Sequence, residues 1–147
     1  MTTDGTSLCV ERTIDAPRER VWRTWTEPLG LSRWWWPERF RTTYEIDLHE
    51  GGAFRFRTEE LKDIGVLSLA GKFFEIEPPE RLAYTWNWEA GEEPQTSVRV
   101  EFRDRGDRTD VRVIHEGFET SDERDNHVQG WNDCLDRLQR CELLASD

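Results

Sequence analysis

The amino-acid sequence predicts an α+β domain in which seven antiparallel strands curve around one long C-terminal helix. Three observations carry this expectation. Leu8, Val10, Arg12 and Ile14 alternate with Cys9, Glu11 and Thr13, the period of two that marks a half-buried strand. Between Phe40 and Thr109 short alternating runs are separated by turn residues at intervals that suit consecutive hairpins. Near the C-terminus, His127, Trp131, Cys134, Leu138 and Cys141 recur at helical spacing and form one stripe, widened by Val128, Leu135 and Leu144.

Each element follows from its residues. After strand one, Asp15-Ala16-Pro17 offers a helix start, and Val21, Trp22, Trp25 and Leu29 share a helical face. Pro28 and Gly30 interrupt that face, so two short helices are expected, about 17–26 and 28–35. Strands are expected at about 41–48, 53–58, 64–77, 81–88, 96–103 and 109–116. The punctuation between them is Gly51-Gly52, the charged stretch 59–63, Pro78-Pro79, Gly91 and Asp104-Arg105-Gly106-Asp107. Gly51-Gly52 permits positive φ in a tight hairpin, and Pro78-Pro79 cannot continue a ladder. Leu82, Tyr84, Trp86 and Trp88 lie on one strand face, as do Val98, Val100 and Phe102. Thr120 to Glu123 reads as a capping box that opens the long helix, and Gly130 within it suits close approach to another backbone. No linker, repeat or low-complexity segment divides the chain, so one domain over 1–147, with its ordered core at about 8–144, is expected.

Composition narrows the function classes. Apolar residues make up only 35% of the chain, but eight Trp and seven Phe concentrate apolar area in few positions, so an aromatic core or cavity is expected. The net charge of −11 repels nucleic acid and anionic membranes, and neither is expected as a partner. The acidic surplus suits a solubilising surface or a high-salt environment. No run approaches the roughly 18 apolar residues of a membrane span, and the first residues lack a signal peptide's basic and apolar regions, which points to the cytoplasm. The three cysteines lack paired spacing and are read as free thiols, Cys134 and Cys141 lying roughly 10 Å apart along the helix axis.

Several phrases carry a family resemblance: Ala16-Pro17-Arg18-Glu19-Arg20-Val21-Trp22, Arg33-Trp34-Trp35-Trp36-Pro37, Gly51-Gly52-Ala53-Phe54, Pro78-Pro79-Glu80-Arg81-Leu82, Tyr84-Thr85-Trp86, Thr109-Asp110-Val111 and Gly130-Trp131. In this order over residues 8–144 they resemble the SRPBCC proteins of the START and Bet v 1-like superfamily, in the group related to the C-terminal domain of the activator of Hsp90 ATPase. The resemblance implies a helix-grip fold whose cavity lies between sheet and C-terminal helix, with Trp34 to Trp36 near its rim. It spans lipid and hormone carriers, polyketide cyclases and chaperone cofactors, so it fixes no activity.

Pocket candidates are Arg12, Trp35, Phe54, Phe56, Trp86, Trp88, His115, Phe118, His127 and Trp131. The aromatic members close either a core or a pocket for a greasy ligand, and three adjacent indoles cannot all point inward. Arg12, on the apolar face of strand one, must pair or stay wet; it is either an ion-pair member or the anchor of a ligand carboxylate or enolate. His115 and His127 are placed to approach each other at the pocket mouth, either as structural histidines or, paired with Glu116 or Asp125, as a proton shuttle or zinc site. HExxH, GxSxG, GxGxxG and GxxxxGK are absent, so no metal, cofactor or catalytic residue is expected. The leading expectation is a carrier, sensor or sequestering protein for a small apolar or amphipathic molecule, as monomer or homodimer. A cyclase or hydratase working in the same pocket, or a chaperone-cofactor-like domain that binds a protein partner, are the alternatives.

Overall fold

The computed structural model describes residues 6–89 and 95–145. Gly91, expected as a turn, lies outside them. The elements are strand β1 (Ser7–Ile14), helix α1 (Arg18–Thr26), the single turn α2 (Pro28–Leu31), a 3-10 turn (Glu38–Phe40), strands β2 (Thr43–Ile46), β3 (Ala53–Arg57), β4 (Ser68–Glu77), β5 (Arg81–Trp88), β6 (Thr96–Asp104) and β7 (Thr109–Glu116), and helix α3 (Ser121–Arg140). The order β1-β7-β6-β5-β4-β3-β2, antiparallel throughout, makes one meander with β1 returned beside β7. This is the expected helix-grip arrangement.

Two devices bend the sheet. The register of β4 on β5 shifts between Phe73 and Glu75, an extra residue that kinks the strand and increases its twist. At Gly71 a Cβ would lie 2.0 Å from the Thr85 carbonyl oxygen and 2.7 Å from the Phe54 ring, so only glycine lets β3 and β5 crowd β4 there. In the β2–β3 hairpin, Gly51 takes a φ of +86° as expected, whereas Gly52 is required by a different constraint, the Asp47 carbonyl oxygen 2.1 Å from where its Cβ would stand.

The interior is aromatic. Trp22 and Trp25 of α1 set their edges against Phe102 of β6, at 5.4 and 5.5 Å between ring centroids. Burying this many large rings offsets the modest apolar fraction, at roughly 25 cal/mol for each Å² removed from water. Thr120 accepts a hydrogen bond from the Glu123 amide, but the Glu123 carboxylate takes the amide of Glu119 rather than that of Thr120.

Four local expectations are corrected. The second short helix stops at Leu31 instead of 35, because residues 32–35 tighten into overlapping turns that send Trp34 and Trp35 inward. Leu29 is 60% exposed, since the extended backbone of Glu27 separates α2 from the helical face of α1. Residues 64–67 are not strand: Leu61 and Gly65 close a turn in which Gly65 has a φ of +88°. Leu144 is buried but outside α3, which ends where Cys141 becomes extended; its amide donates to Thr24 Oγ1, and the tail lies against α1.

Candidate functional site

A cleft of about 550 Å³ opens between α3, the residues that follow α2, and β5. Its walls come mainly from three separate segments, with Leu67 as a fourth contributor. Trp34 to Trp36 point three ways. Trp34 is buried beneath α1, its indole donating to the Thr24 carbonyl at 3.0 Å. Trp35 turns into the protein between Trp86 and Trp131, and Trp36, half-buried, stacks on Trp88 with their planes 18° apart. Helix α3 holds this segment through Arg137, whose guanidinium donates to the carbonyls of Trp34 (2.9 Å) and Trp35 (2.7 Å), and through the Cys134 thiol, which donates to Trp35 at 3.0 Å. Burial pushes the Cys134 thiol up to about 12, so it remains a proton donor and not a nucleophile.

The alternation of β5 puts Trp86 and Trp88 on the concave face, and the helical spacing of α3 puts His127, Gly130, Trp131 and Cys134 opposite them. At Gly130 a Cβ would meet nothing within 4 Å. The expectation that this glycine permits close backbone approach is therefore corrected: it leaves open space in the cleft wall.

The two histidines do approach, with ring centroids 5.3 Å apart, but each is committed at both nitrogens. Trp131 Nε1, which can only donate, gives its hydrogen to His115 Nδ1 at 3.0 Å, so the imidazole proton sits on Nε2 and is directed at Thr96 Oγ1, 2.7 Å away. Trp88 Nε1 donates likewise to His127 Nε2 at 3.0 Å, and His127 Nδ1–H donates to the Glu123 carbonyl at 2.8 Å. These bonds fix the orientation of each ring. Burial, aided by the neighbouring His127, keeps His115 well below the ordinary imidazole range. Neither Glu116 nor Asp125 is a partner of either ring, and among the described residues no three His, Cys, Asp or Glu side chains converge as a metal site.

Of the ten pocket candidates, Trp35, Trp86, Trp88, His127 and Trp131 line the cleft. The other five do not. Arg12 forms a part-buried ion pair with Asp136 of α3, at 2.9 Å, the first of the two readings its position allowed. Phe54 and Phe56 face the interior beneath β3, around a residual void of only about 10 Å³. His115 and Phe118 are buried behind Trp86 and His127, in ring contact with one another at 4.5 Å. Cleft residues that sequence reasoning did not name are Arg39, Phe40 and Arg137 among others, and Gly130 was not read as one; Trp36 lies at the cleft, as the resemblance implied for Trp34 to Trp36. Gly130 carried a signal, since glycine inside a helix costs roughly 1 kcal/mol against alanine and calls for a reason.

Comparison with known proteins agrees with the fold. The family described as Activator of Hsp90 ATPase homolog 1-like protein matches residues 15–141. No curated protein matches the sequence. Among solved structures, CV1439 from Chromobacterium violaceum is 23% identical with a TM-score of 0.80, over 93% of this chain and 96% of that one. CalU16 from Micromonospora echinospora is 27% identical with a TM-score of 0.70, over 91% and 74%. DynU16, a protein of the dynemicin biosynthetic locus, is 20% identical with a TM-score of 0.74, over 92% of this chain and 46% of its own.

Proposed function

The chain belongs to the family of activator of Hsp90 ATPase homolog 1-like proteins, and from that premise we propose that it is a binding protein for a small, mainly apolar molecule held in the cleft between β5 and α3. The observation that carries this reading is the cleft itself: about 550 Å³, walled by indoles from three chain segments, with a helix glycine facing open space. Ligand sites of this size are characteristically apolar, with a few placed polar groups.

Catalysis by the same cleft is less well supported. General acid–base chemistry needs a group free to exchange a proton with the substrate. His115 and His127 each have both nitrogens in hydrogen bonds, and Arg137 is occupied by two backbone carbonyls. A protein-partner role through the tryptophan segment is also disfavoured, since Trp34 and Trp35 are buried and form no exposed patch.

Native mass spectrometry of the protein isolated from the cells that make it, followed by denaturation, tests the proposal. A stoichiometric apolar passenger is expected. A protein that arrives empty and also fails to take up planar aromatic probes contradicts it.

A further inference from the structure

The charge of the cleft runs against the charge of the chain. The protein carries −11 overall, with 31 acidic residues against 20 basic ones. Among the described residues, Asp133, Arg39 and Arg137 are the charged side chains that line the cleft, two cations to one anion. Arg137 is occupied by the carbonyls of Trp34 and Trp35, and the Asp133 carboxylate accepts from Gln129 at 3.0 Å. Arg39 is different. It is exposed on the 3-10 turn, and its guanidinium carbon lies over the Phe40 ring, 5.3 Å from the centroid. That contact meets the positive charge with a ring face and supplies no acceptor oxygen. Among the described residues no carboxylate oxygen comes within 4 Å of it, although acidic side chains reach Arg55, Arg81, Arg105 and Arg112 in that way. The site of the guanidinium is set by what lies beneath it. Phe40 contacts Trp36 at 6.5 Å between centroids, and Trp36 stacks on Trp88, so the cation is carried on the aromatic rim that walls the cleft. The Phe40 carbonyl accepts from the Glu59 amide at 3.3 Å, and Arg41, with a φ of +50°, closes the turn in the left-handed region that non-glycine residues seldom adopt.

We propose that Arg39 anchors an anionic head group, and that the ligand is an amphipathic carboxylate whose apolar body lies among the indoles while its charged end stays at the mouth. This rests on the small-molecule reading above and narrows it. A carboxylate pairs with a guanidinium through two parallel N–H bonds, and a guanidinium already carried on a ring gives up little freedom in forming them. Apolar walls around a cation focus its field at the mouth, where a protein of net negative charge otherwise repels an anion. A neutral ligand of the same shape gains the burial and nothing at Arg39.

The test compares two probes, fluorene-4-carboxylate and fluorene-4-carboxamide, which share ring system and shape and differ in charge. Calorimetric titration of the wild-type protein at low salt is expected to show the carboxylate binding about fivefold more tightly, the worth of a good ion pair open to solvent. That preference is expected to shrink as salt rises from about 20 mM to about 500 mM, where the screening length is a few Å. Arg39→Gln is expected to bring the carboxylate down to the level of the carboxamide. Arg103→Gln removes the same charge from β6, away from the cleft, and is expected to keep the preference. Equal binding of the two probes to the wild-type protein overturns the anchor while leaving the binding proposal intact. A preference that survives Arg39→Gln, that Arg103→Gln removes equally, or that salt leaves unchanged also overturns the anchor. Failure of both probes to bind overturns the anchor, and the binding proposal with it if the protein also arrives empty.

Discussion

Trp131 Nε1 donates to His115 Nδ1 across 3.0 Å, and this bond ties α3 to β7 at the floor of the cleft. It fixes the tautomer of a fully buried imidazole and lets Trp131 stand edge-on to Trp35, 5.3 Å between centroids. The same pairing of an indole donor with a histidine acceptor recurs one layer outward, in Trp88 and His127. The histidines thus position the aromatic walls.

Removal of the inner indole tests that role. Trp131→Ala is expected to destabilise the protein by about 3–5 kcal/mol, the usual cost of deleting a buried large aromatic. Trp131→Phe keeps most of the packing and leaves His115 Nδ1 without its donor, for a loss of about 1–3 kcal/mol. Chemical denaturation measures both, and a change under about 1 kcal/mol for the alanine variant would contradict the packing described.

The depressed pKa of His115 has a consequence for acid stability. At pH 7.5 the ring is neutral folded and unfolded, so it contributes no pH dependence. Below about pH 6.5 the unfolded chain takes up a proton that the native state refuses, so stability falls as pH drops, by up to about 1.4 kcal/mol for each unit. His115→Asn removes this term. The wild-type protein is therefore expected to lose up to about 2 kcal/mol more than the variant between pH 6.5 and 5, read from denaturation midpoints at each pH. Parallel losses would place the acid sensitivity elsewhere.

Arg12 separates a structural from a ligand role. Its partner Asp136 is 48% exposed, and pairs of that kind contribute about 0–1 kcal/mol. Arg12→Leu is expected to change stability by no more than that and to leave probe binding unaltered. A variant of normal stability that no longer binds an anionic probe would restore the anchor role.

The frame of the fold was legible because it rests on local periodicity. The alternation at Leu8 to Ile14 and the stripe through Trp131, Cys134 and Leu138 each name one buried face, and burying both faces against each other leaves few arrangements. The candidate site was legible where a residue sits on such a face, as Trp86, Trp88, His127 and Trp131 do, and, at Trp35, through the family resemblance. Period two placed Arg12 on the apolar face and left an ion pair or a ligand anchor open; the carboxylate that pairs with it stands on a helix 124 residues away, beyond the reach of local pattern. Arg39 and Phe40 stand on the 3-10 turn Glu38–Phe40, too short to leave a period in the sequence, and Trp36 follows the two carbonyls that Arg137 holds. Gly130 was noticed and read in the wrong sense, because sequence alone does not distinguish a glycine that admits a backbone from one that leaves room for a ligand.

Gly130 also provides the most direct measurement. Gly130→Ala and Gly130→Phe place a small and a large side chain in the cleft at a position where an added Cβ meets nothing within 4 Å. The alanine variant is expected to gain up to about 1 kcal/mol in stability from helix propensity. The phenylalanine variant is expected to fold normally and to lose binding of fluorene-4-carboxylate by tenfold or more, about 1.4 kcal/mol, because its ring occupies the ligand's space. Undiminished binding by a stable Gly130→Phe protein would contradict the claim that this cleft is where the molecule is held.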